Sequence, residues 1–106
     1  MEETKTIEEK LVEMQRELEY VKVANVADVM IYLKPLLTKY NLALALNDTV
    51  DCKGARYYVK SVARLIDPNC DRVIATTGET EHVDGSTKEA SEIARFEALI
   101  GMFALS

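Results

Sequence analysis

The sequence predicts an α+β domain: an antiparallel sheet of three or more strands, covered by helices. Three observations carry this expectation. Apolar residues in positions 7–40 recur at helical spacing behind two capping residues. Residues 42–77 break into three strand-like stretches separated by "DCKG" and "DPNCD". The last segment, from Ser86 onward, returns to helical spacing with alanines on its inward side.

Thr6-Ile7-Glu8-Glu9 reads as a capping box, in which the Thr6 hydroxyl and the Glu9 carboxylate each satisfy the other's backbone amide. Behind it, Ile7, Leu11, Met14, Leu18 and Val21 form a narrow seam of coiled-coil spacing. Such a helix packs either on its own domain or on a neighbouring subunit. Residues 1–23 are read as this N-terminal amphipathic helix, and residues 24–106 as one α+β core.

Asn25 caps a second helix, with Asp28 favourable in its first turn. Val26, Val29, Met30, Leu33, Leu36, Leu37 and Tyr40 give it a broad apolar face. Pro35 lies inside this pattern and is expected to kink the helix or split it near Lys34. Asn41 suits the left-handed residue that stops it.

The strand candidates are "LALAL" (Leu42–Leu46), "ARYYVKSVARLI" (Ala55–Ile66) and "RVIATT" (Arg72–Thr77), joined as a meander. Cys52 and Cys70 then fall at opposite ends of the middle strand, roughly 40 Å apart. A disulfide needs about 6 Å, so both are expected as free thiols. "ETEHVDG" reads as a polar loop. His82 is the sole histidine, which excludes a His-based metal cluster and a Ser-His-Asp triad. Asp48/Asp51 and Glu79/Glu81 are acidic enough for a metal, but read more simply as solvating residues. Ser86-Thr87-Lys88-Glu89 is a second capping box, opening a helix that turns Ala90, Ile93, Ala94, Ile100 and Phe103 inward.

A length of 106 residues leaves room for one domain with a modest core, which oligomerisation would help to stabilise. No apolar run reaches the ~20 residues of a membrane span. The acidic start "MEETKTIEEK" is unlike a secretory signal, and the cysteines lack metal or redox spacing, so a cytoplasmic protein is expected. The net charge is −5, yet it is unevenly spread. Residues 1–21 carry −4, residues 22–77 carry +3, and residues 78–106 carry −4. Attraction to phosphate must come from the middle segment.

That segment holds the candidate site. On a strand, Arg56, Tyr58, Lys60, Val62, Arg64 and Ile66 share one face, while Tyr57, Val59, Ser61, Ala63 and Leu65 share the other, which suits a core. The three bases are about 13 Å apart. They can neutralise phosphates of an extended nucleic-acid strand while Tyr58 stacks on a base. Lys53 in the preceding turn and Arg72 on the next strand are expected to widen the patch. Any solvated sheet face also carries Lys and Arg, so this spacing alone does not decide for nucleic acid.

The final segment, "EIARFEALIGMFAL", resembles the C-terminal core helix of the essential recombination function (Erf) family of phage single-strand annealing proteins. Ala94, Arg95, Ala98, Leu99, Gly101, Met102 and Phe103 agree with its pattern, whereas Ile93, Phe96 and Glu97 depart from it. "YLKPLLTKYNLAL" is similar to the family's proline-bearing helix and following strand, and "GARYYVKSVARLID" to its middle strand. The likeness spans roughly residues 24–105. It implies a curved antiparallel sheet crossed by a helix, assembled into rings or filaments that hold single-stranded DNA in a basic groove. It also implies annealing of complementary strands in phage-type recombination without ATP or another cofactor, in the cytoplasm of a bacterial host. Arg95 joins the DNA-binding candidates on this ground. The alternative is an oligomerisation or regulatory module of the same fold that binds no DNA. An enzyme is the least supported reading.

Overall fold

A computed structural model describes residues 5–54, 56–82 and 87–105; the side chains of Lys53, His82 and Thr87 are outside that description. The order is α1 (Ile7–Glu17), α2 (Val26–Tyr40), β1 (Ala43–Lys53), β2 (Arg56–Asp67), β3 (Arg72–His82) and α3 (Thr87–Phe103). The strands form an open antiparallel sheet in the order β1-β2-β3. The helices pack on one of its faces.

The capping box of α1 forms as expected: the Thr6 hydroxyl accepts from the Glu9 amide, and a Glu9 carboxylate oxygen accepts from the Thr6 amide. Its seam packs within the domain. Ile7, Met14 and Leu18 are buried in the main core with Val29 and Leu33 of α2, Ala63 and Leu65 of β2, and Leu99, Met102 and Phe103 of α3. Two of the polar contacts that hold α1 in place are at least partly buried. Gln15 donates to the Met102 carbonyl at 2.9 Å. Lys10 pairs with Asp67 at the end of β2 at 3.3 Å, with side chains only 11% and 2% exposed. A second carboxylate oxygen of Asp67 accepts from the Asn69 amide, which tightens the β2–β3 turn. That amide and the Lys10 ammonium outweigh burial and hold the Asp67 carboxyl below its ordinary range.

Helix α2 begins where Asn25 accepts from the Asp28 amide and ends at Asn41 in the left-handed conformation. Pro35 does not split it; α2 is continuous from Val26 to Tyr40. Pro35 lies on the exposed side with Ile31 and Tyr32, so the carbonyl it leaves without an amide partner can be hydrated.

Two of the strands are longer than the apolar pattern indicates. β1 continues through Asp51-Cys52-Lys53, where the sequence predicts a turn, and β3 continues through Gly78 and on through Glu79-Thr80-Glu81-His82, where it predicts a loop. These polar extensions gain ladder hydrogen bonds with Arg56–Ser61 of β2 and need not bury side chains to do so. Gly54, at φ 67°, supplies the left-handed residue of the short connection between β1 and β2. Cys52 therefore lies at the end of a strand, and both cysteines are free and exposed.

Helix α3 crosses β3 and β2. Gly78 makes this approach possible: a Cβ there would sit 2.1 Å from the Ala94 carbonyl oxygen and 2.6 Å from the Ala98 amide nitrogen. Thr76 fixes the register by donating to the Ala98 carbonyl at 2.8 Å. Ala90, Ala94 and Phe103 are buried as expected, and Ile100 packs partly against the core. Ile93, expected inward, is 49% exposed instead. Close seating over Gly78 selects Ala90, Ala94 and Ala98 for the sheet-facing line and leaves Ile93 on the flank. Ser86 of the second capping box is outside the described residues.

Candidate nucleic-acid interface

The alternation of β2 divides its residues as the sequence predicts, except that Tyr57, expected on the core face, is 52% exposed because the helices do not cover the hairpin end. Val59, Ser61, Ala63, Leu65 and Asp67 are buried beneath the helices. Arg56, Tyr58, Lys60, Val62, Arg64 and Ile66 point to the opposite, uncovered face, where they are exposed or half-buried.

The register shows what surrounds them. Arg64 lies between Ala45 of β1 and Ala75 of β3. Val62 lies between Asn47 and Thr77, Lys60 between Thr49 and Glu79, and Tyr58 between Asp51 and Glu81. With its amide turned oxygen-first, Asn47 accepts from the Arg64 Nη1 at 2.9 Å. Arg56 is drawn toward the β3 side: its Nε is 3.6 Å from Glu81. Tyr58, and then Glu81, raise the Arg56 pKa and stabilise its charge. Among the described residues, no carboxylate is within ion-pairing distance of Lys60 or Arg64.

The face is thus asymmetric. Its β3 side carries Glu79 and Glu81. Its β1 side carries Ala43, Ala45, Asn47 and Thr49, with Asp51 alone near the hairpin tip. The two glutamates escape a sequence reading that ends β3 at Thr77. The signal for them was the polarity-tolerant pairing of a long β2, which demands a partner for each of its residues. Lys53 pairs with Arg56 in register, and its side chain is outside the described residues.

Two candidates lie elsewhere. Arg72 pairs in register with the buried Asp67, so it projects on the helix side, where it meets Glu8 of α1 at 2.6 Å. Arg95 also projects under the helix layer. Its Nη2 and Nε reach one carboxylate oxygen of Asp48 at 2.7 and 2.9 Å. Burial pushes the Asp48 carboxyl up, but the Arg95 guanidinium outweighs this and holds it below its ordinary range. The parity of β1 and β3 against β2 separates both arginines from the basic face. The four residues brought together are Arg56, Tyr58, Lys60 and Arg64.

No group of three or more His, Cys, Asp or Glu side chains with metal-binding geometry occurs among the described residues. No helix among them is long and apolar enough to cross a membrane. No model of a protein family, no curated protein and no solved structure matches the chain.

Proposed function

We propose that this protein binds single-stranded DNA along the uncovered face of β2 and, through assembly of several copies, holds the strand for pairing with its complement. The observation that carries this reading is the joint placement of Arg56, Lys60 and Arg64, with Tyr58 between the first two, on one solvent-facing strand. The bases engage phosphates, and Tyr58 offers a ring to an unstacked base. The work is positioning: no bond is made or broken and no cofactor takes part. The likeness of the proline-bearing helix, the middle strand and the last helix to the Erf pattern supports the same reading. It also supports a phage- or prophage-encoded protein acting in the bacterial cytoplasm.

A second reading is an oligomerisation or regulatory module of this fold without DNA binding. The Arg56–Glu81 and Arg95–Asp48 pairs favour it, because both commit a basic candidate to an internal acid.

Titration of labelled oligothymidylate at low and high salt, with light scattering on the same samples, separates the two. Annealing predicts binding whose logarithmic salt slope is about −2, from three phosphate contacts on a single strand. The triple change Arg56→Ala, Lys60→Ala and Arg64→Ala abolishes it without unfolding the domain. An oligomer that ignores the oligonucleotide at low salt sinks the DNA-binding reading and leaves the second.

A further inference from the structure

The basic face is bordered by acid mainly on its β3 side, with Asp51 of β1 near the hairpin tip, and this asymmetry bears on which form of nucleic acid it admits. Resting on the proposed single-strand binding, we infer that Glu79 and Glu81 form a rim that sets selectivity against duplex. A single backbone can run between β1 and β2, over Lys60 and Arg64, flanked by Ala45, Asn47 and Thr49. On that path it stays clear of β3, and its bases are free to turn toward Tyr58 and Thr77.

A duplex can lay only one of its two backbones on this path. It carries one charge per about 1.7 Å of axis, twice the density of one strand, and its two backbones are held in fixed relation. The minor groove between them is about 6 Å wide, and β1 and β3 are about 10 Å apart. With one backbone over Lys60 and Arg64, the other falls over β3, against the exposed Glu79 and Glu81. Rolled the other way, the second backbone lies beyond the β1 edge and gains no contact. The rim therefore acts by repelling the wrong ligand, a difference in affinities rather than an added attraction.

The charge balance of the face supports this division of labour. Its described bases, Arg56, Lys60 and Arg64, are matched by Asp51, Glu79 and Glu81. A surface that gathered nucleic acid by net charge alone would not carry the acids among its bases. Confined largely to β3, they leave the β1 side of the face open to a phosphate chain.

The test compares the full chain with Glu79→Gln, with Glu79→Gln/Glu81→Gln, and with Glu97→Gln, which removes the same charge from the exposed flank of α3. Each is titrated with oligothymidylate of about 20 nucleotides and with a mixed-sequence duplex of similar length. The double variant is expected to tighten duplex binding about tenfold and single-strand binding about twofold, so selectivity falls about fivefold. Glu79→Gln, which leaves the Arg56–Glu81 pair in place, moves selectivity in the same direction. Glu97→Gln leaves the ratio of the two affinities unchanged. Single-strand binding with an unaltered ratio in the double variant overturns the rim and spares the binding face. An equal shift in Glu97→Gln also overturns it, by reducing the effect to net charge. A parent chain that binds neither ligand overturns the binding reading and the rim together.

Discussion

Replacing Gly78 with alanine gives a large effect from one methyl group. The added Cβ would lie 2.1 Å from the Ala94 oxygen, 2.6 Å from the Ala98 nitrogen and 3.0 Å from the Glu97 Cβ. The first two atoms are acceptor and donor of one turn of α3. Neither can move aside by changing rotamer, so the helix itself must move. Ordinary contact begins near 3.4 Å, so strand and helix must part by about 1.3 Å. That retreat loosens the Ala90, Ala94 and Ala98 packing and stretches the Thr76 hydrogen bond to the Ala98 carbonyl. Overpacking typically costs about 1–3 kcal/mol, and two backbone clashes place this case at about 3 kcal/mol. For a domain of this size, that lowers Tm by roughly 10–20 °C. Gly101→Ala is the internal control. It lies within α3 with nothing near its added Cβ, so helix propensity alone applies and stability should rise by about 0.5–1 kcal/mol. Urea unfolding followed by circular dichroism measures both. A Gly78→Ala protein as stable as the parent would refute the close seating of α3 on β3.

Further outcomes follow from individual contacts. Arg95→Gln should cost about 1–2 kcal/mol, because it leaves the partly buried Asp48 without its cationic partner. The lowered Asp48 pKa makes that stabilisation fully present above its ordinary value of 3.8, and lost as pH falls through the depressed folded value. Acid titration should therefore show a shallower loss of stability in Arg95→Gln than in the parent below about pH 4. Asn25→Ala removes the acceptor of the Asp28 amide and should cost about 1 kcal/mol by urea unfolding. Both cysteine thiols should react within seconds with a colorimetric disulfide reagent in the folded protein, since both are exposed. Slow reaction of either would contradict its placement.

The parts of the fold legible in the sequence were those where chemistry is local. Thr6 and Asn25 announce helix starts because a side-chain oxygen must meet an amide three residues on. Asn41 announces a stop because few residues accept its φ of 54°. The faces of β2 follow from period two alone. What escaped was set by partners distant in the chain. Residues 79–82 carry no apolar alternation, and they form strand because Tyr57–Lys60 of β2 pairs with them. Ile93 looks inward by periodicity, but seating on Gly78 rotates α3 onto its alanines. Arg72 reads as a member of the basic patch until cross-strand register sets it on the other side of the sheet, where Arg95 of α3, a candidate by resemblance, also lies. The same register brings Glu79 and Glu81 beside the bases. No local signal in "GETEH" marks those two residues as part of the site.

The row Asp48, Ser61 and Gly78, one residue from each strand, runs across the sheet beneath α3. It separates a large apolar cluster, shared by all three helices, from a small one made of Val59, Ala90 and Ala94. Beyond the small cluster, Val50 and Tyr57 are more than half exposed. The two ends of one continuous sheet are therefore held with unequal strength. Fluctuations should open the hairpin end while the Ala63–Asp67 end stays closed. Backbone amides of Val50–Tyr58 should exchange with solvent deuterium well before those of Ala63–Asp67, and limited proteolysis should cut first near Gly54. An opening of this kind begins at the Arg56 end of the basic row and leaves Arg64 on the stable part of the sheet. A ligand spanning the row would then slow exchange at the tip more than anywhere else in the chain.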